Sequence, residues 1–298
     1  MRSDPNRLAL LLAVLALETA CSDRHELLGS VRALAGDAGV PTQLEYSPPK
    51  LIAELASPEN SDEDATFTGD LLELFFVSDR QDNKDIWSSR RESVTAPWTS
   101  PVRVTELNSS VDDVTPYVSL DGLRIWFSSG RGEQGRRTWF SSRPSLNEPW
   151  ATPVPVPELA GTYGLGLTAA ETFAVVCATR EGGAGEDDIY FSTRGARDEA
   201  WGPLQSLRGV NTSQGDLEPF VAEAGRVVFL SSTRQGSEDL YWARRGRAGE
   251  AFPEPVALSE LNSSESDTDP TVSQDLGYLI FTSWRSGTRK LYEAYRVR

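Results

Sequence analysis

Five stretches, each closed by an arginine, decide the reading of this chain: Leu74-Phe75-Phe76-Val77-Ser78-Asp79-Arg80, Ile125-Trp126-Phe127-Ser128-Ser129-Gly130-Arg131, Val175-Val176-Cys177-Ala178-Thr179-Arg180, Val227-Val228-Phe229-Leu230-Ser231-Ser232-Thr233-Arg234 and Leu279-Ile280-Phe281-Thr282-Ser283-Trp284-Arg285. The closing arginines stand 51, 49, 54 and 51 residues apart. Each stretch is short, β-branched and aromatic, the composition of a strand buried on both faces. Self-similarity at a period of about 50 residues is the sign of a repeat architecture.

Other positions fall into register around these arginines. Upstream stand Asp62, Asp113, Thr162, Asp216 and Asp267, and three residues later Ala65, Pro116, Leu165, Pro219 and Pro270. Downstream, after a polar turn, comes a second strand: Asp85-Ile86-Trp87, Arg137-Thr138-Trp139, Asp188-Ile189-Tyr190, Asp239-Leu240-Tyr241 and Lys290-Leu291-Tyr292. Each of these runs to a further arginine, Arg91, Arg143, Arg194, Arg245 or Arg296, and the first four lead on to Trp98, Trp150, Trp201 and Phe252. A last strand, such as Val102 to Leu107 or Val256 to Leu261, ends each unit. Four strands in about 50 residues make a propeller blade. The fifth unit stops at Arg298 without its fourth strand, and Tyr46 with Pro49 to Leu55 matches Trp98 with Pro101 to Leu107. The expected fold is therefore all-β: a five-bladed β-propeller, four strands per blade, whose N-terminal strand closes the last blade. The blades are expected at residues 62–108, 113–160, 162–211, 216–262, and 267–298 plus 46–56. Such closure removes free sheet edges, and a monomer is expected.

The motif Asp113-Val114-Thr115-Pro116-Tyr117-Val118-Ser119-Leu120-Asp121-Gly122, the Ser-x-Arg endings and Asp188-Ile189-Tyr190 resemble the WD-repeat-like units of TolB-type periplasmic proteins. The resemblance covers residues 46 to 298. It implies a binding scaffold in the cell envelope. TolB carries six blades and a second domain, so its particular partner is not implied.

Upstream of the repeats, Leu8 to Leu17 is a ten-residue apolar run behind Arg2 and Arg7, too short to span a bilayer as a mature helix but suited to a signal peptide. It ends at Glu18-Thr19-Ala20-Cys21, which resembles the lipobox of bacterial lipoproteins; Ala20 and Cys21 match, while Glu18 stands where that family prefers Leu. Residues 1–21 are read as a signal peptide with Cys21 as the lipidation site, and residues 22–45 as a tether. The expected location is the cell envelope, as a periplasmic or outer-membrane lipoprotein with a lipid anchor as the one contact with membrane; without lipidation of Cys21 the expectation is a secreted chain. Cys177, the other cysteine, reads as a small buried hydrophobe.

Charge and composition exclude several functions. With 44 acidic against 29 basic residues and a net charge of -15, the chain lacks the clustered Lys and Arg of a nucleic-acid binder. His25 is the single histidine and lies outside residues 46–298, which removes Ser-His-Asp and Cys-His catalysis and His-ligated zinc from the repeat region. No cofactor, catalytic residue or metal site is assigned. Strand direction places Asp62, Asp113, Asp216 and Asp267 on one face with Arg80, Arg131, Arg180, Arg234 and Arg285. This charged rim is the expected binding surface for an envelope protein or glycan. Its repetition also fits a structural device, an Arg and an Asp pairing across each tight turn. Arg137 and Lys290 replace the turn acid in two blades, so the arginines there are expected to find other partners. Blade three departs furthest, with Thr162, Gly164 and Gly166 and the long turn Glu181 to Asp188, whose acids are oxygen ligands of the kind Ca²⁺ takes without the spacing of an EF-hand. The alternative function is a five-bladed glycoside hydrolase of the arabinanase or levansucrase type, with carboxylates drawn from Asp62, Asp113, Asp216, Glu218 and Asp267.

Overall fold

The computed structural model describes residues 43–132 and 135–297; the expected signal peptide, Cys21 and most of the tether lie outside them. Twenty strands form five four-stranded antiparallel sheets. Strand β1 is Lys50–Leu51. Blade 1 holds β2 (Asp62–Phe67), β3 (Glu73–Ser78), β4 (Asp85–Arg90) and β5 (Val102–Arg103). Blade 2 holds β6 (Asp113–Val118), β7 (Arg124–Ser129), β8 (Arg137–Ser142) and β9 (Val154–Ala160). Blade 3 holds β10 (Tyr163–Leu167), β11 (Phe173–Ala178), β12 (Asp188–Thr193) and β13 (Gln205–Ser206). Blade 4 holds β14 (Asp216–Ala222), β15 (Val227–Ser232), β16 (Asp239–Arg244) and β17 (Val256–Ala257), and blade 5 holds β18 (Asp267–Val272), β19 (Tyr278–Ser283) and β20 (Lys290–Tyr295). The fold is the five-bladed all-β propeller that the repeat predicts.

The second strand of each blade supplies the core. Every residue of β3, β15 and β19 is buried, because neighbouring blades cover both faces of the sheet. The N-terminal segment completes blade 5: β1 pairs antiparallel with β20, Lys50 opposite Glu293 and Leu51 opposite Tyr292, and Tyr46 bridges Arg296. Tyr46, Ile52 and Leu55 are buried there, as Trp98, Val104 and Leu107 are in blade 1.

The fourth strands are shorter than expected. Val102–Arg103 and Val256–Ala257 pair, and the chain then turns so that Leu107 and Leu261 bury inward. The side chain of Asn108 takes over the ladder, accepting from the Ile86 N–H at 2.7 Å and donating to the Ile86 carbonyl at 2.9 Å. Asn211 does the same to Ile189, and Asn262 to Leu240. The recurring Asn-x-Ser/Thr triplets are therefore strand substitutes. Blade 2 differs: β9 runs for seven residues as an outer edge, and Pro155 and Pro157 within it withhold the N–H groups that another chain would need for edge pairing.

Candidate functional site

The charged rim is an interior clamp. Asp62, Asp113, Asp216 and Asp267 are 0% exposed. One oxygen of each caps the link from the preceding blade, accepting from Ser57 N at 2.6 Å, Ser109 N at 2.5 Å, Thr212 N at 2.6 Å and Ser263 N at 2.5 Å. The other oxygen meets Arg80, Arg131, Arg234 or Arg285 at 2.5–2.7 Å. Each guanidinium also donates to the carbonyl that ends the preceding outer strand, on Leu55, Leu107, Val210 or Leu261. Each also lies over the aromatic ring of its own third strand: Trp87, Trp139, Tyr241 or Tyr292. The clamp thus welds blades 1, 2, 4 and 5 each to the one before it, and the aspartates expected to bind offer a ligand no exposed carboxylate.

Two expectations about these arginines need correction. They do not pair across the turn, so Arg137 and Lys290 deprive nothing: Arg131 and Arg285 keep their inner-strand aspartates. Asp85 pairs instead with Arg103 at 2.6 Å, and Lys290 reaches Asp62 of blade 1 at 3.4 Å. In blade 3, Thr162 in place of the aspartate donates to Leu159 O at 2.7 Å, and Arg180 is exposed against Tyr190. In the long turn of that blade the Asp188 carboxylate accepts from the N–H groups of Ala184 and Gly185, which turns it into the loop. Among the described residues no group of His, Cys, Asp and Glu is arranged to hold a metal ion.

A second arginine series pins the opposite face. Arg91, Arg143, Arg194 and Arg245 lie over Trp98, Trp150, Trp201 and Phe252 at 4.1–4.5 Å. Their Nε atoms donate to Leu71, Gly122, Glu171 and Gly225 carbonyls. The sequence marks this series, and its role emerges only from the packing.

The side chains left free of these devices lie at the mouth of the central channel. Every inner strand breaks register within its first two residues. The extra residue takes a left-handed conformation: Asp64 at φ 55, Thr115 at 49, Gly164 at 61, Glu218 at 42 and Asp269 at 55. Such a bulge re-aims one side chain, and the proline after it in three blades has no N–H to lose from the ladder. All five residues line one cavity, together with the residues that follow each of them. Its volume is about 40 Å³.

Three carboxyl groups therefore converge on the axis from blades 1, 4 and 5. Asp64 accepts from Thr115 N at 3.0 Å and Glu218 from Ser231 Oγ at 2.7 Å, while Thr268 Oγ1 lies 2.9 Å from Asp269. Burial, with Asp269 beside each, holds both Asp64 and Glu218 well above the ordinary carboxylate range. Glu238 is raised by the same two causes. Arg289 is the cation of this quarter; it pairs with Glu63 and lies 5.4 Å from the ring of Trp284, which is 43% exposed. Of the acids that the sequence offered for hydrolysis, Glu218 reaches the mouth, and Asp62, Asp113, Asp216 and Asp267 are taken by the clamp.

No family model and no curated protein sequence matches the chain. Many solved structures share its fold. TolB from Acinetobacter baumannii superposes with a TM-score of 0.51 at 13% identity, covering 90% of this chain and 67% of that one. The catalytic domain of the Coprinopsis cinerea GH62 alpha-L-arabinofuranosidase gives 0.61 at 9% identity, over 87% of this chain and 98% of that one. A thermostable family-43 glycoside hydrolase gives 0.52 at 12% identity, over 81% and 90%. The protein is thus a five-bladed propeller with an acidic mouth, similar in fold to the propeller of TolB and to those of glycoside hydrolases. A propeller fold serves both, so it does not by itself decide between binding and catalysis.

Proposed function

We propose that this is a non-enzymatic binding propeller of the cell envelope, which meets its ligand with the acidic mouth of the channel. One observation carries the reading. The bulge residue is a position lining the mouth where the blades differ in chemistry, Asp64, Thr115, Gly164, Glu218 and Asp269, inside a frame that largely repeats. A structural device repeats; a recognition surface is free to vary. The mouth carries three converging carboxyls on a chain of net charge -15, which favours a ligand rich in Lys and Arg. Its cavity, about 40 Å³, lies far below the roughly 300–1,000 Å³ of an enclosing ligand pocket, so the ligand sits on the mouth. The envelope location rests on the apolar run before Cys21.

A second reading, glycoside hydrolysis, draws on the same acids: Asp64, Glu218 and Asp269 differ in setting, as the acid and base of a hydrolase must. The small cavity argues against it. The two readings separate in one experiment. Arabinan and xylan oligosaccharides are incubated with the parent and with Glu218→Gln, and no turnover is expected from either. Turnover by the parent that Glu218→Gln abolishes overturns the binding reading.

A further inference from the structure

Blade 3 enters the ring differently from the other four. Elsewhere the inner strand begins with an aspartate whose N–H crosses to the blade before it: Asp62 N to Arg289 O, Asp113 N to Lys84 O, Asp216 N to Asp187 O and Asp267 N to Glu238 O, at 2.8–3.0 Å. Thr162 N turns back instead to Leu159 O at 3.3 Å. The cause is β9, which runs on until Ala160 pairs with Arg137 of its own blade. Thr162 also brings no carboxylate to Arg180, so blade 3 lacks both the backbone link and the clamp.

The packing thins at the same seam. Toward blade 2, β11 presents Ala174 and Val176, where the other blades present Leu74 and Phe76, Ile125 and Phe127, Val228 and Leu230, or Leu279 and Phe281. Smaller side chains bury less apolar surface and make fewer close contacts. On its other side blade 3 is held closely. A Cβ at Gly166 would stand 2.7 Å from Pro219 O, so the glycine lets the inner strands of blades 3 and 4 approach. Phe252 N donates to Arg208 O at 3.2 Å, and Cys177 Sγ to Asp216 O at 3.3 Å.

We propose that the seam between blades 2 and 3 is a parting line built into the ring: its mouth end opens while the other seams stay shut, and blade 3 moves with blade 4. At the mouth end the polar ties are hydroxyl contacts, Thr138 Oγ1 3.2 Å from Thr162 Oγ1 and Gly164 N donating to Thr115 Oγ1 at 3.4 Å. The far end is pinned by Tyr117 OH donating to Leu167 O at 2.8 Å and by the Arg124–Glu171 pair at 2.8 Å. The seam therefore hinges at the far end. Thr115 and Gly164 flank it at the mouth, so parting widens the cavity on the side away from the three carboxyls. With the mouth as the ligand face, the reading on which this use of the seam rests, parting admits a group too large for the closed cavity of about 40 Å³.

Thiol alkylation of the full chain without ligand tests the seam whatever the mouth binds. Cys177 and Ala178 are neighbours on β11, both 0% exposed. Cys177 is turned to Asp216 of blade 4, and Ala178 lies in the cluster with Trp126 of blade 2. In Ala178→Cys, the rate at each thiol is read by site-resolved mass spectrometry and divided by its rate in the urea-unfolded chain. The thiol introduced at 178 is expected to react at least about tenfold faster than Cys177, since local opening exposes the less stable seam first. In Ala174→Cys, at the hinge end of the same face, the introduced thiol is expected to react as slowly as Cys177. Equal protection at 177 and 178, or equal reactivity at 174 and 178, overturns the parting line. If Ala178→Cys does not fold, Thr162→Cys, 1% exposed at the mouth end, takes its place with the same expectations.

Discussion

The clamp makes a quantitative prediction at Asp216. Its carboxylate has no exposed surface and accepts four hydrogen bonds: Arg234 at 2.5 Å and Ser232 Oγ at 2.7 Å on one oxygen, Thr212 N at 2.6 Å and Thr212 Oγ1 at 3.0 Å on the other. Asp216→Asn keeps the volume, removes the charge and turns one oxygen into a donor facing donors. Two hydrogen bonds are lost, and Arg234, whose side chain is 10% exposed, is left without its counter-charge. Breaking one side of a buried pair costs about 3–5 kcal/mol, and Arg234 retains the Val210 carbonyl and Ser232, so the lower end, about 3 kcal/mol, is expected. At roughly 2–4 °C per kcal/mol for a domain of this size, Tm falls by about 6–12 °C. The chain contains its own control. Arg180 has the same place in blade 3 but no aspartate, and is exposed, so Arg180→Ala is expected within about 0.5 kcal/mol of the parent. Urea unfolding at constant m-value measures both. Equal effects from the two substitutions refute the clamp.

Other consequences are as concrete. Deleting residues 46–56 removes β1 and exposes the edge of β20; loss of cooperative unfolding or aggregation is expected, and an unchanged melt contradicts ring closure. Asn262→Ala removes both hydrogen bonds to the Leu240 backbone and should cost about 1–3 kcal/mol in urea unfolding. Glu218→Gln should stabilise the protein at neutral pH, because burial and Asp269 raise the parent's carboxyl above its unfolded value, and the difference should shrink as pH falls toward about 4. Cys21→Ser should release the exported chain from the membrane fraction, measured by fractionation and blotting.

The fold was legible because a propeller writes its blade five times. Residues as far apart as Tyr46 and Arg296 could be paired by asking which position each occupies in the repeat. The binding surface was misread for the same reason. The acids that align best, Asp62, Asp113, Asp216 and Asp267, are constant because each caps a link and holds an arginine. The mouth residues were hidden by the bulge. Asp64, Thr115, Glu218 and Asp269 sit in inner strands, and three of the four precede a proline, which biases the residue before it toward extended backbone. A reader of the sequence then places them in the pleat, whereas the left-handed turn aims them at the axis. The signal available was chemical variety, Asp, Thr, Gly, Glu and Asp at one repeat position. The short fourth strands were illegible for a different reason: nothing in Val102 to Leu107 announces that the Asn108 side chain will replace the strand.

Trp284 offers the most direct test of the mouth as the ligand face, because it is 43% exposed beside Arg289, whose charge acts on the mouth acids Asp64 and Asp269. A Lys- and Arg-rich peptide titrated at low salt should change its fluorescence saturably. The change should be absent in Trp284→Phe, weakened about tenfold or more in the Asp64→Asn/Glu218→Gln double variant, and suppressed by salt. A peptide that binds the double variant as tightly as the parent, or that binds without any signal from Trp284, contradicts the account.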